Sequence, residues 1–122
     1  MDTIITNGKL VTPWEIIEGI TIGIEGKKIV SVQQDGIPLK AKQVINAHGN
    51  YILPGIIDCH THFGAFLPYE DDVLSETWAA AFGGITTVFH VILEQGSIFD
   101  RLNYYIETTK RLATVDMSLW TP

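Results

Sequence analysis

The sequence has little cysteine, no cluster of basic residues and no long apolar run. Its single cysteine, Cys59, excludes a disulfide within the chain and fits a reducing compartment. The formal net charge is -6, and the only adjacent basic pairs are Lys27-Lys28 and Lys110-Arg111. That balance argues against a surface that binds nucleic-acid phosphates. The polar start, with Asp2 after Met1, predicts neither a secretory leader nor a membrane span, so we expect a cytoplasmic protein.

The first fifty residues have the pattern of short strands separated by tight turns. Asn7-Gly8 lies between two strand-like stretches and is typical of a hairpin turn, because both residues tolerate a positive φ. Ile20, Ile22 and Ile24 alternate with small or polar residues, which predicts a half-buried strand. We therefore expect residues 1–51 to be the N-terminal part of a small β-sandwich domain.

The pattern changes at Pro54. Residues 52–62 form a mostly apolar run, which suits a strand that is covered on both faces in a parallel sheet. A helix is predicted from about Asp72 to Phe82, with Asp72 as its cap and Gly83-Gly84 as its end.

Two more buried strands are predicted, at 85–92 and at 115–120, with a second helix beginning at Ser97 between them. Helical crossovers between buried strands imply parallel pairing, so residues 52–122 predict a β-α-β-α-β segment. Both a small open α/β sheet and the start of a (β/α)8 barrel fit this order, since a complete barrel needs roughly 250 residues.

The run Asp58-Cys59-His60-Thr61-His62 ends the first of these buried strands. Because side chains alternate along a strand, we expect residues 58, 60 and 62 to share one face and Cys59 to be a buried, inert thiol on the other. Two histidines at this spacing have Cα atoms roughly 6.6 Å apart, and both can reach one metal ion at about 2.1 Å. The ends of parallel strands are also where α/β folds build their sites. A chance His-x-His pattern without a ligand is the alternative interpretation.

Two segments carry a resemblance to a known family. Residues 53–62 read LPGIIDCHTH and resemble the barrel-opening motif of the amidohydrolase superfamily. Residues 79–88 read AAAFGGITTV and look like the end of its first barrel helix and the start of its second strand. The stretches 7–11 and 44–47 are similar to the sandwich domain that precedes the barrel. Within the superfamily, the likeness is greatest to the N-terminal portion of the hydantoinase and dihydropyrimidinase branch.

This resemblance implies an α/β fold, a truncated (β/α)8 TIM barrel preceded by strands of a small β-sandwich. It implies a hydrolase of C–N bonds in cyclic amides, in which metal-bound hydroxide attacks the ring carbonyl. The family binds two zinc ions, and its motif histidines hold the more buried one, a role that falls here on His60 and His62. The motif aspartate corresponds to Asp58, which would support the ligands rather than bind metal. Alternatively, Asp58 is a structural hydrogen-bonding residue at the barrel mouth.

The resemblance places the other parts of the site beyond these residues. They are a carboxylated lysine, two histidines and a proton-shuttling aspartate. We therefore expect no catalytic residue within the chain and no amidohydrolase activity from the chain alone. Its open strand edge is expected to cause self-association or incomplete order. The complete family further implies a homo-oligomer, a tetramer, whose substrate is a small cyclic amide.

Departures from the family pattern leave alternatives open. Phe63 to Pro68 follow the second histidine where dihydroorotases and allantoinases usually carry Glu-Pro-Gly, which disfavours those branches. Trp120 stands where hydantoinase-like chains often have a histidine, so another cyclic amidohydrolase, such as an allantoinase, stays an alternative. For His90 a core or supporting role is preferred over a ligand role, and His48 is expected to be exposed.

Two further alternatives come from other functional classes. A non-catalytic dihydropyrimidinase-related scaffold protein would share this fold, although such proteins typically lack the metal ligands that His60 and His62 would supply. An independent small α/β binding module is the other alternative.

Overall fold

The computed structural model describes residues 1–121. Pro122, on which the predicted barrel segment 52–122 ends, lies outside the described residues. The chain forms two compact units, Met1–Pro54 and the part from Gly55 onward, and each is described by itself. Among residues 1–121, no helix is both long and apolar enough to cross a bilayer.

The first unit is a five-stranded sheet. Its strands are β1 (Thr3–Val11), β2 (Ile16–Glu25), β3 (Lys28–Gln34), β4 (Gln43–Asn46) and β5 (Tyr51–Ile52). The order is β3-β2-β1-β4, and β5 also pairs with β1. Antiparallel pairing joins β1 to β2 and β2 to β3, whereas β4 and β5 run parallel to β1. The strands described in Met1–Pro54 belong to one sheet, so the assignment of residues 1–51 to part of a two-layered β-sandwich domain stays a prediction.

The prediction of a hairpin turn at Asn7-Gly8 is wrong. These residues lie inside β1, where the pairing with β2 shifts register on both sides of Gly8. Asn7 has a φ of 54°, and its Nδ2 donates a hydrogen bond of 3.1 Å to Oδ1 of Asn46. The positive φ of Asn7, which would also suit a turn, therefore belongs to a β-bulge. The bulge lies where the parallel partner of β1 changes from β4 to β5, a long-range pairing that no local pattern reports.

The second unit has the predicted β-α-β-α-β order. Its elements are β6 (Ile56–Thr61), α1 (Tyr69–Phe82), β7 (Ile85–Val91), a short 3-10 turn (Ile98–Asp100), α2 (Leu102–Leu112) and β8 (Asp116–Trp120). The strands form a parallel sheet in the order β6-β7-β8. This is the strand and helix order with which a (β/α)8 barrel begins.

Both helix starts differ from the prediction. α1 begins three residues earlier than expected, at Tyr69, with Pro68 in the N-cap position. Asp72 is buried, and its carboxylate accepts a hydrogen bond of 2.7 Å from the backbone N–H of Gly64 instead of capping the helix. The α-helix predicted from Ser97 begins only at Leu102, after the 3-10 turn.

The core of this unit lies between the sheet and its two helices. Its buried side chains come from both helices, from β7 and from the loops that follow β6 and β7; they are Phe63, Tyr69, Val73, Val88, Ile92 and Tyr105. Residues that alternate along β7 point to this core, so the residues between them point to the opposite face of the sheet. The helices therefore cover one face, and the sheet positions the end of β6 beside the end of β7.

Replacing Gly8 tests the packing at the bulge in β1. A Cβ atom there would overlap the side chain of Ile52 and lie 3.2 Å from the Cβ of Ala47. We expect Gly8→Ala to lower the free energy of unfolding by about 1 to 3 kcal/mol, the usual cost of overpacking, as measured by urea denaturation. In an Ile52→Ala background the same change should cost much less, because the new methyl group has space. Equal costs in the two backgrounds would contradict this account.

Candidate metal centre

The two candidate ligands lie at the end of β6, where the strand is irregular. Asp58 pairs with Val88 and Thr61 pairs with His90, so β6 has one residue more than β7 over this stretch. Strict alternation of side chains therefore does not hold between Asp58 and Thr61. The prediction that Cys59 is buried is wrong: its side chain is exposed, because the irregularity interrupts the alternation on which the prediction depended.

His60 and His62 bring their imidazole rings together. Their Nε2 atoms are 3.1 Å apart, and the rings are nearly perpendicular, with centroids separated by 4.9 Å. Two imidazole nitrogens that bind one tetrahedral zinc ion at about 2.1 Å lie about 3.4 Å from each other. Both histidines are exposed on their strand end. The pair therefore has the donor type and nearly the separation that zinc requires.

A carbonyl of the neighbouring strand orients His62. Nδ1 of His62 lies 2.9 Å from the backbone oxygen of Val91, at the end of β7. A carbonyl only accepts hydrogen bonds, so Nδ1 carries the proton and Nε2 keeps its lone pair. Zinc ligands commonly have this arrangement, in which a backbone carbonyl fixes the tautomer and the ring direction. In His62 the free lone pair is therefore on the atom that faces His60.

Asp58 contacts the backbone of this segment. Its Oδ1 accepts a hydrogen bond of 3.1 Å from the backbone N–H of His60, and its side chain is half-buried. Asp58 also lines a cavity of about 220 Å³ together with Glu76 and Ala80 of α1. The carboxylate therefore supports the position of His60 through the main chain, at the irregularity of β6.

Within residues 1–121, no three side chains of His, Cys, Asp or Glu lie close enough to hold one metal ion together. The two imidazoles by themselves fit zinc in donor chemistry and separation, and they leave its other coordination positions open. The two histidines are thus candidates for half of a tetrahedral ligand set.

His90 lies apart from the pair, in the aromatic core under the helices. It is 1% exposed, stacks on Tyr69 at 5.4 Å and meets the ring of Phe63 edge-on at 5.2 Å. Its Nδ1 accepts a hydrogen bond of 3.2 Å from the backbone N–H of Phe63, which places the proton on Nε2. Burial lowers the pKa of His90 from 6.5 to about 4, so the ring is neutral at pH 7.

The remaining candidates are also placed. His48 is exposed and has a φ of 52°, in the turn before β5. Trp120 ends β8, and its ring meets that of Phe89 edge-on at a centroid distance of 5.4 Å. The sequence signal for the core position of His90 is its place between Val88 and Ile92, at the alternating buried positions of an apolar strand.

Comparison with curated proteins finds similar sequences in two groups of enzymes. No family model matches the chain. A D-hydantoinase from Geobacillus stearothermophilus is 37% identical over 118 residues, which are 93% of this chain and 24% of that protein. A dihydroorotase from Lactobacillus gasseri is 37% identical over 89 residues, which are 72% of this chain and 20% of that protein. The chain thus spans between a fifth and a quarter of the length of these relatives. The similar proteins thus include dihydroorotases, a branch that the residues after His62 were expected to disfavour.

Comparison with solved structures finds the same fold. An L-hydantoinase from Arthrobacter aurescens has a TM-score of 0.83 at 24% identity, over 98% of this chain and 27% of its own. An atrazine chlorohydrolase from Arthrobacter aurescens, solved with zinc and atraton, has a TM-score of 0.70 at 23% identity, over 96% of this chain and 35% of its own. At these identities the similarity concerns the fold alone.

Acid should destabilise the folded chain through His90. The pKa of His90 is about 4 in the folded chain and near 6.5 when it is exposed to water. Between these values the unfolded chain binds a proton that the folded chain does not, so stability falls as the pH falls from 6.5 toward 4. We expect a loss of about 2 to 3 kcal/mol through His90 between about pH 7 and pH 4, measured by urea denaturation.

Two substitutions separate this effect from the titration of other groups. His90→Asn should remove this part of the pH dependence, whereas His48→Asn, at an exposed histidine, should leave it in place. The same pH dependence in the parent chain and in His90→Asn would contradict the account.

Proposed function

Because this chain belongs to the amidohydrolase superfamily and matches a portion of its hydantoinase-like branch, we propose that it supplies the first metal-binding strand of a metal-dependent hydrolase of cyclic amides. The metal is proposed to be zinc, bound by His60 and His62. A complete site would hold two zinc ions, with further ligands beyond those of this chain.

The convergence of the two Nε2 atoms is the observation that carries the proposal. Their nitrogens lie 3.1 Å apart, within hydrogen-bond distance, so both lone-pair positions are directed at the same point between the rings, where a zinc ion would take the place of a shared proton. The hydrogen bond from His62 Nδ1 to the Val91 carbonyl leaves one of these nitrogens as an acceptor that points at its neighbour. The pair is therefore arranged to bind an electrophile, and zinc is the metal for which two imidazoles are common ligands.

Bound zinc supplies Lewis acidity at neutral pH, which polarises a carbonyl and lowers the pKa of water. The residues of this chain contribute positioning: Val91 holds the ring of His62, and Asp58 holds the backbone of His60. Neither residue is proposed to transfer a proton. The general acid or base of the reaction is assigned to residues outside this chain.

The substrate is proposed to be a cyclic amide, since the relatives are named for hydantoin and dihydroorotate chemistry. The chain by itself is proposed to be inactive, because residues 1–121 bring only two candidate ligands together. An intact His-x-His pair favours the enzyme over the scaffold alternative. The cytoplasmic location and the homo-oligomer stay proposals, which the single cysteine and the family resemblance support.

Zinc binding by the purified chain tests this proposal. Loss of a residue that supports a metal ligand weakens metal affinity roughly tenfold to hundredfold. His60→Ala and His62→Ala each remove a proposed ligand itself, so each should weaken zinc affinity by more than that. Asp58→Ala removes such a support and should cost about tenfold. Equilibrium dialysis against zinc, with the same variants compared by circular dichroism, measures these effects.

His48→Ala is the matched control, because His48 is exposed and lies in the other unit of the chain. It should bind zinc as the parent chain does. If the double variant His60→Ala/His62→Ala binds zinc as tightly as the parent, the proposed metal centre is wrong.

A further inference from the structure

Two aromatic rings lie on the sheet face that the helices leave uncovered. Val88, His90 and Ile92 of the second unit are buried under the helices, so Phe89 lies on the opposite face of the sheet. Its ring meets the ring of Trp120 edge-on, with centroids 5.4 Å apart. Trp120 is 54% exposed. The sheet thus presents an aromatic pair at the ends of β7 and β8.

This aromatic pair is joined to the candidate metal centre through the backbone. Val91, whose carbonyl holds His62 at 2.9 Å, is the strand partner of Trp120. Thr61, between the two histidines, donates its hydroxyl to the backbone oxygen of Phe89 at 3.1 Å. Neighbouring strands are about 4.8 Å apart, so the aromatic pair lies within one or two strand spacings of the imidazoles.

The ring of Trp120 is held in place, with its polar atom already bonded. Its indole N–H donates a hydrogen bond of 3.0 Å to Oγ of Ser118, two residues earlier on the same face. The edge-on contact with Phe89 further restricts the orientation of the ring. What the ring still offers is a flat apolar surface, which suits an aryl or alkyl group.

We propose that Trp120, oriented by Phe89, is a specificity-determining residue that contacts an apolar substituent, above all an aryl group, on the ring of the cyclic amide. The inference rests on the proposed function, because it takes the His60–His62 pair as the point where the substrate ring binds. It assigns to Trp120 the choice among substituted rings and no part in the bond cleavage.

Equilibrium dialysis of the zinc-loaded chain with phenylhydantoin and with unsubstituted hydantoin tests the inference. Trp120→Ala should weaken phenylhydantoin binding about fivefold to tenfold and change hydantoin binding less than about twofold. Trp120→Phe, which keeps an aromatic ring, should retain most of the affinity. Trp78→Ala is the matched control, since Trp78 is 52% exposed on α1, and it should change neither ligand.

Zinc binding is measured on the same samples, which separates the two hypotheses. If zinc binds but Trp120→Ala leaves phenylhydantoin affinity unchanged, or if the parent chain does not bind phenylhydantoin, the specificity role is overturned and the metal centre stands. If the parent chain does not bind zinc, the proposed function is overturned. The specificity role of Trp120, which rests on the metal centre, is then overturned with it.

Discussion

The hydrogen bond from Nδ1 of His62 to the carbonyl of Val91 joins the end of β6 to the end of β7. It can form because the two strands run parallel, so that their C-terminal ends lie at the same edge of the sheet. The carbonyl fixes the proton on Nδ1 and leaves Nε2 of His62 free to face His60. The candidate metal centre therefore depends on the pairing of the strands as much as on the identity of the histidines.

The irregularity in β6 gives the site its second constraint. One extra residue between Asp58 and Thr61 interrupts the alternation of side chains and leaves Cys59 exposed. At this point the carboxylate of Asp58 accepts a hydrogen bond from the backbone N–H of His60. A carboxylate is a stronger hydrogen-bond acceptor than a neutral group. Support for the ligands thus comes from the backbone on one side and from a neighbouring strand on the other.

The two faces of β7 serve different purposes. On the helix side, His90 is a neutral part of an aromatic core, since burial holds its pKa near 4. On the other side, Phe89 meets Trp120 beside the histidine pair. On one face, β7 thereby contributes packing that fixes the sheet; on the other, it contributes the Phe89 ring that orients Trp120 of β8.

The amino-acid pattern was sufficient to predict the strand-rich first unit, the parallel β-α-β-α-β order of the second and the His60–His62 pair at the end of β6, because hydrophobic periodicity and turn residues act locally. The predictions of a hairpin turn at Asn7-Gly8 and of a buried Cys59 were wrong for one physical reason. Both depend on bulges, which arise from the register between strands distant in sequence. For His90, a core or supporting role was preferred over a ligand role, but the face of the strand on which it lies is fixed by packing against Tyr69 of α1 and Tyr105 of α2. Local chemistry thus selects the elements and the ligand types, whereas strand register and helix packing, which are long-range, set where each side chain points.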